Sequence, residues 1–176
     1  MRAAIVILAV CLTAPAVAAT SHPGRPAHAK ARTDEPKPLG HYENWVAATH
    51  LEGGQTVCYA FTRAQSSAPK LPGRGDVVLT VTQRPSGRDA VAISAGYAYP
   101  ANAAVKLRMD PAEFELYTAQ RSAFARDGHA AVAAFLKGRE AVARGPGPRN
   151  VAVTDNFSLR GFVAAYAAIN KACPAR

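Results

Sequence analysis

Two cysteines, Cys58 and Cys173, constrain this chain more than any other feature, because they stand far apart behind a leader that looks like an export signal. In "MRAAIVILAVCLTAPAVAAT", Arg2 precedes an apolar run from Ala3 to Leu12, and Ala16, Ala18 and Ala19 supply small residues for cleavage. That pattern predicts a secretory signal peptide over residues 1–19, which removes Cys11. Ten or so apolar residues are too few for a membrane-spanning helix, which needs roughly 20. A lipid-modified Cys11 is disfavoured by Val10, which stands where a small residue is required. The exported chain keeps two cysteines, and in an oxidising compartment an even pair is a disulfide by default. The rival is a reactive thiol or a metal pair, but neither cysteine has a CxxC neighbour or a histidine close by in sequence.

Hydrophobic periodicity gives the bridge a geometry. Leu159, Phe162, Tyr166, Ile169 and Cys173 follow one another at intervals of three and four residues, the apolar stripe of an amphipathic helix that begins at Ser158 as its N-cap. The face that packs Leu159 and Phe162 on a sheet therefore carries Cys173 toward it. A bridge to Cys58 closes a very long loop and stabilises the fold by about 4 to 5 kcal/mol in the chain-entropy model.

The rest of the chain reads as short strands. "YENWVAAT" alternates, and after Gly53 and Gly54 "QTVCYAFTR" places Val57, Tyr59 and Phe61 on one face and Cys58 and Ala60 on the other, which predicts a hairpin. "AQSSAPKLPGRGD" is a long Ser-, Pro- and Gly-rich loop. "VVLTVTQ", "AVAISAG", "AVKLRM", "FELYT", "REAVAR" and "RNVAVTD" are further strands bounded by turn residues. "DGHAAVAAFLKG" switches to helical period and forms a short crossover helix. The expected fold is mainly β: an antiparallel β-sandwich or barrel-like domain with one short crossover helix and a C-terminal amphipathic helix. It occupies residues 41–176. Residues 20–40 are Pro-rich and basic with little apolar beyond alanine, too little to offset ordering entropy, and are expected to be a flexible linker.

Charge and motifs narrow the function little. The 21 Lys and Arg exceed 12 Asp and Glu, a formal +9. The surplus suits nucleic acid, anionic lipid, polysaccharide or simple solubility. Basic residues are scattered (Arg63, Arg84, Arg88, Arg108, Arg126, Arg144, Arg149, Arg160) with no aromatic-basic stripe, and export argues against nucleic acid. Beyond His41 at its first position, the folded part holds His50 and His129, each standing alone, so no metal site is expected, and no cofactor motif is present. There is no GxSxG or HExxH string; Ser158 beside Asp155 is read as a helix cap rather than a nucleophile and base. "GPGPRN" at 145–150 has prolines where an anion cradle would need N–H donors.

With these pieces in view, the chain resembles the invasion-associated locus B family of alphaproteobacterial envelope proteins. The matching residues are Trp45, "VCYAFT" at 57–62, "LTVTQRP" at 79–85, "SAGYAYP" at 94–100, "FELYT" at 114–118 and above all "TDNFSLRGFVAAYAAINKAC" at 154–173. In that last motif Asp155, Phe157, Ser158, Leu159, Gly161, Phe162 and the final Cys173 occur together and in order. The resemblance implies a small exported domain in the periplasm or cell envelope, or secreted, and a role at the bacterial surface; family members from pathogens are associated with entry into host cells. No catalytic residue carries over. The chain departs from the family pattern at "GPGPRN" and at Phe124, where a tryptophan is usual, and it lacks a further cysteine pair.

One string invites a sharper reading. "GRGD" places Arg74, Gly75 and Asp76 in the long loop, where they could present opposite charges to an adhesion receptor, although glycine before a strand is ordinary turn chemistry. Alanine at Arg74 and Asp76 is expected to leave folding intact. The functional expectation is a non-enzymatic envelope protein that binds an unidentified protein or envelope component. The alternatives are an envelope-integrity or stress protein without a specific ligand, and a hydrolase whose residues converge only in three dimensions.

Overall fold

The computed structural model describes residues 35–175. The expected signal peptide, and the expected linker up to residue 34, lie outside the described residues. Eleven strands form one sheet: β1 (Lys37–Tyr42), β2 (Trp45–Glu52), β3 (Gln55–Arg63), β4 (Ser66–Ala68), β5 (Val78–Arg84), β6 (Gly87–Ser94), β7 (Ala104–Met109), β8 (Ala112–Ala119), β9 (Ser122–Ala125), β10 (Glu140–Pro146) and β11 (Ala152–Ser158). Two α-helices accompany them, α1 (Gly128–Phe135) and α2 (Phe162–Ala172).

The sheet order is β1-β2-β3-β5-β6-β9-β8-β7-β10-β11-β4, and every pairing is antiparallel. β1 and β4 are its edges and do not pair with each other, so the barrel is not closed. It nearly closes, because β3 runs straight into β4, which hydrogen-bonds to β11 at the far end. The backbone N–H of Gln65 donates to the carbonyl of Asn156 at 2.8 Å. A sheet must curl through most of a turn to bring its third strand to its tenth, and its inner face becomes a core. One inner row runs Ala47, Ala60, Val81 and Val91 across β2, β3, β5 and β6; a second runs Leu79, Ile93 and Ala123 across β5, β6 and β9. All seven are buried.

The helices cap this interior. α1 connects β9 to β10, crossing over β8 and β7, and buries Ala131, Val132 and Phe135; it rests on β6. α2 lies on β1, β2 and β3 and buries Phe162, Ala165 and Ile169. Phe162 sits with its ring 4.8 Å from that of Trp45 and 5.3 Å from that of Phe135, so three elements meet at one aromatic cluster. Cys58 and Cys173 are disulfide-bonded, with their Cα atoms 6.0 Å apart. The bond fixes the end of α2 to the inner face of β3.

Four local features differ from the sequence reading. "YENWVAAT" is not one strand: Glu43 takes a left-handed φ of 50° and turns the chain, so Tyr42 pairs with Trp45 across a two-residue hairpin. The strand before that turn begins at Lys37, inside the segment assigned to the linker; Pro38 and the irregular register between Pro38 and Gly40 blunt it as a sheet edge. The long loop contains β4. Ser158 does not cap the last helix, because Gly161 does so in a left-handed conformation with φ 89°. Ser158 ends β11 instead, and its Oγ accepts from the backbone N–H of Arg160 at 3.2 Å, closing a short turn.

Candidate functional site

The segment 154–173 gathers the residues that sequence singled out, and the structure gives each a partner. On β11 side chains alternate, so Val153, Asp155 and Phe157 face inward. Asp155 places a buried carboxylate there. It receives two parallel hydrogen bonds of 2.8 Å from the Arg74 guanidinium and one of 2.6 Å from the Ser67 hydroxyl. Both charged side chains are nearly inaccessible, at 6 % for Arg74 and 7 % for Asp155. Arg74 also donates from Nε to the carbonyl of Ala95 at 2.7 Å and lies 4.8 Å from the centre of the Tyr97 ring. Tyr97 and Tyr99 pack edge to face beside it. Burial pushes both phenols above their ordinary pKa, Tyr99 the further.

Downstream, the carbonyl of Ser158 accepts a buried 2.9 Å hydrogen bond from the Trp45 indole. Leu159 joins the core. Gly161 comes against the backbone of Tyr42 so closely that any Cβ would collide with the Tyr42 carbonyl, which explains a glycine there beyond its positive φ. Arg160 reaches back to Glu43 at 3.0 Å on the surface. The motif therefore clamps the first hairpin.

This arrangement overturns the adhesion reading of Arg74, Gly75 and Asp76. A guanidinium shared between a carboxylate, a carbonyl and an aromatic face has no surface to offer a receptor, and Gly75 donates its N–H to the Gly96 carbonyl. Gly75 and Asp76 are exposed, and Asp76 pairs with Arg63 at 3.2 Å. The pairing of Asp155 with Ser158 as base and nucleophile fails for the same reason: each is held by other groups. Among the described residues no three His, Cys, Asp or Glu side chains gather as a metal site.

What remains free is the outer face of the sheet. Phe61, Thr80, Ala92, Phe124 and Tyr117 are register partners in one row across β3, β5, β6, β9 and β8. At one end His50, Tyr59, Phe61, Thr80 and Thr82 line a shallow groove of about 530 Å³. His50 meets the Tyr59 ring edge-on, and Tyr59 stacks on Phe61. At the other end Tyr117, 44 % exposed, stacks on Phe124 with Arg126 over its ring. Strand alternation marked these side chains as sharing faces within a strand, but nothing local says which strands are neighbours.

The profile of the family described as invasion associated locus B (IalB) protein matches residues 45–170. The chain belongs to the IalB family. A crystal structure of invasion associated protein B from Bartonella henselae is similar in fold, with a TM-score of 0.56 and 16 % identity over 76 % of this chain and 95 % of that one. No curated protein matches the chain.

A second polar node ties the helices of this IalB domain to its sheet. Asp89, at the start of β6 with φ 55°, is buried and accepts from Gln83 at 2.6 Å and from the Tyr166 hydroxyl at 2.8 Å, while His129 Nδ1 lies 3.0 Å away. Its own N–H donates to Gln83 Oε1. Burial pushes the Asp89 carboxyl up, but the hydrogen bonds from His129, Gln83 and Tyr166 together outweigh it, and its pKa is lowered. The hydrogen bond to Asp89 raises the pKa of His129, whose side chain is otherwise open to solvent. Tyr166 is pushed up by burial and by donating to Asp89. The node joins β5, β6, α1 and α2.

Two outcomes are expected. Arg74→Ala leaves the Asp155 carboxylate buried and unpaired and lowers unfolding free energy by about 3 to 5 kcal/mol, whereas Asp76→Ala changes it by less than about 0.5 kcal/mol, as measured by urea denaturation. For the Asp89–His129 pair, the stability advantage of wild type over His129→Gln is full below the ordinary histidine pKa and disappears as pH rises through the raised one. It also declines as pH falls through the lowered Asp89 value, so urea midpoints against pH should differ most in the acid range between them.

Proposed function

We propose that this IalB protein is a non-enzymatic binding module of the bacterial envelope, exported to the periplasm or cell surface, with the outer face of its sheet as the working surface. One observation carries the reading. Asp155, Ser158, Asp89 and Arg74 are engaged in holding elements together, while the outer face of the sheet carries an aromatic band, half-buried except for the exposed Tyr117, with arginines beside it. Exposed aromatic side chains flanked by arginines are the residue types that dominate recognition surfaces. Export is supported by the leader sequence and by the Cys58–Cys173 bond, which persists in an oxidising compartment. No helix among the described residues is long and apolar enough to cross a membrane.

The envelope fraction of cells making the full chain tests this. Wild type should be retained on washed envelopes, and Phe61→Ala or Tyr117→Ala should reduce retention about tenfold or more with the fold unchanged. Equal retention of both variants, with a hydrolytic activity lost on substitution elsewhere, would replace the binding reading by an enzymatic one.

A further inference from the structure

The Cys58–Cys173 bridge has two unequal ends. Cys58 is wholly inaccessible on the inner face of β3, whereas Cys173, at the C-terminal cap of α2, is only half-buried. Cys173 lines a cleft of about 460 Å³, and Cys58 does not. One wall of the cleft is the β2–β3 turn from Gly54 to Thr56, and the other is the chain beyond α2 at Pro174 and Ala175. The Cys173 sulfur lies 3.8 Å from the Thr56 carbonyl, which places it between the two walls. Arg84 and Arg88 flank the opening. Arg84 is paired with Glu52 at 3.0 Å, while Arg88 donates to the neutral carbonyl oxygens of the Asn170 side chain and the Cys173 backbone, so it keeps its positive charge beside the cleft.

A disulfide is opened by a thiolate that approaches in line with the S–S bond, on the far side of the sulfur it attacks, and access decides which sulfur that is. Attack on Cys58 has to come from inside the packed core to which it belongs, where a thiolate has no path. Attack on Cys173 comes from the cleft. The incoming sulfur bonds to the Cys173 sulfur, the S–S bond breaks, and its electron pair leaves on Cys58, which takes up a proton. A second thiolate then attacks the mixed disulfide and releases the oxidised donor and the Cys173 thiolate; two thiols are oxidised and one bridge is reduced. Charge on Cys58 is unfavourable in apolar surroundings, which slows the first step and protects the bridge from random exchange. The Arg88 guanidinium holds the Cys173 carbonyl at 2.6 Å independently of the bridge, and so keeps the freed sulfur close to Cys58 for the return reaction.

We infer that Cys173 is a thiol-exchange site: the sulfur through which an incoming thiolate, seated in this cleft, opens and re-forms the bridge. The reactant is a thiolate, carried by a small peptide thiol or by the reduced cysteine pair of a protein. A cleft of about 460 Å³ lies within the range of small-molecule sites, roughly 300 to 1,000 Å³, and its open mouth also admits an extended peptide segment. The site makes the tie between α2 and β3 reversible under control of the thiols in its compartment. It is independent of what the outer face of the sheet binds.

The experiment exposes the oxidised protein, as exported, to reduced glutathione and, in a second arm, to reduced thioredoxin whose second active-site cysteine is replaced by serine. Each reaction is quenched in acid, and the adducts are mapped by mass spectrometry after unfolding and alkylation. In native buffer the mixed disulfide should fall on Cys173 in preference to Cys58 by about ten to one or more, and in urea that unfolds the chain it should fall on both. Adducts from glutathione alone identify the donor as a small thiol, and faster trapping of thioredoxin identifies it as a protein. Thr56→Trp, which adds bulk at an exposed position on the cleft rim, should slow adduct formation about tenfold with the urea midpoint unchanged. The inference is overturned by adducts split evenly between the two sulfurs in native buffer, by adducts that form only where the chain unfolds, or by an unchanged rate in a folded Thr56→Trp protein.

Discussion

A long curled sheet has to be held shut, and here residues 152–173 do it. β11 and α2 together touch both flanks of the sheet: Asp155 draws in the loop after β4 through Arg74, the Ser158 carbonyl takes the Trp45 indole proton, and Phe162 packs on the Trp45 ring. The Cys58–Cys173 bond then fixes the far end of α2 to β3. Without this clamp the curled sheet would have two loose flanks, β1 with its proline and irregular register and β4 with only three residues. Neither edge is long or regular enough to stabilise the closure alone.

The same economy accounts for the structural work done by Asp155 and Arg74. An aspartate on the inner face of a strand is costly unless a counter-charge meets it with directed hydrogen bonds, and the two-pronged contact from Arg74 supplies that. Once the pair is made, the loop containing "GRGD" cannot move outward to meet a receptor. The opposite face of the same strands stays accessible, where alternation leaves Phe61 half-buried and Tyr117, Lys106 and Arg144 exposed while their neighbours fill the core.

Some of this was legible in the sequence, and the reason is local periodicity. The hairpin from Trp45 to Arg63, the short helix at Gly128–Phe135 and the oily stripe ending at Cys173 each announce themselves within ten to twenty residues. The split at Glu43 was not legible, because a non-glycine residue takes the left-handed φ of 50° there and no Gly or Pro marks the turn. β4 and β9 are too short to show a period. The pairing of Arg74 with Asp155 joins residues 81 positions apart, and the opposition of Lys106 and Arg144 appears only once β7 and β10 are known to be neighbours. Lys106 and Arg144, far apart in sequence, become neighbours through sheet order, which no single strand encodes.

The clamp is tested most directly by comparing urea unfolding of the chain with its thiols titrated as absent and then after full reduction. Tying α2 to β3 across 115 residues predicts that reduction lowers unfolding free energy by about 4 to 5 kcal/mol, or abolishes cooperative unfolding at physiological temperature. Two free thiols in the exported protein, or identical unfolding curves before and after reduction, would contradict the account.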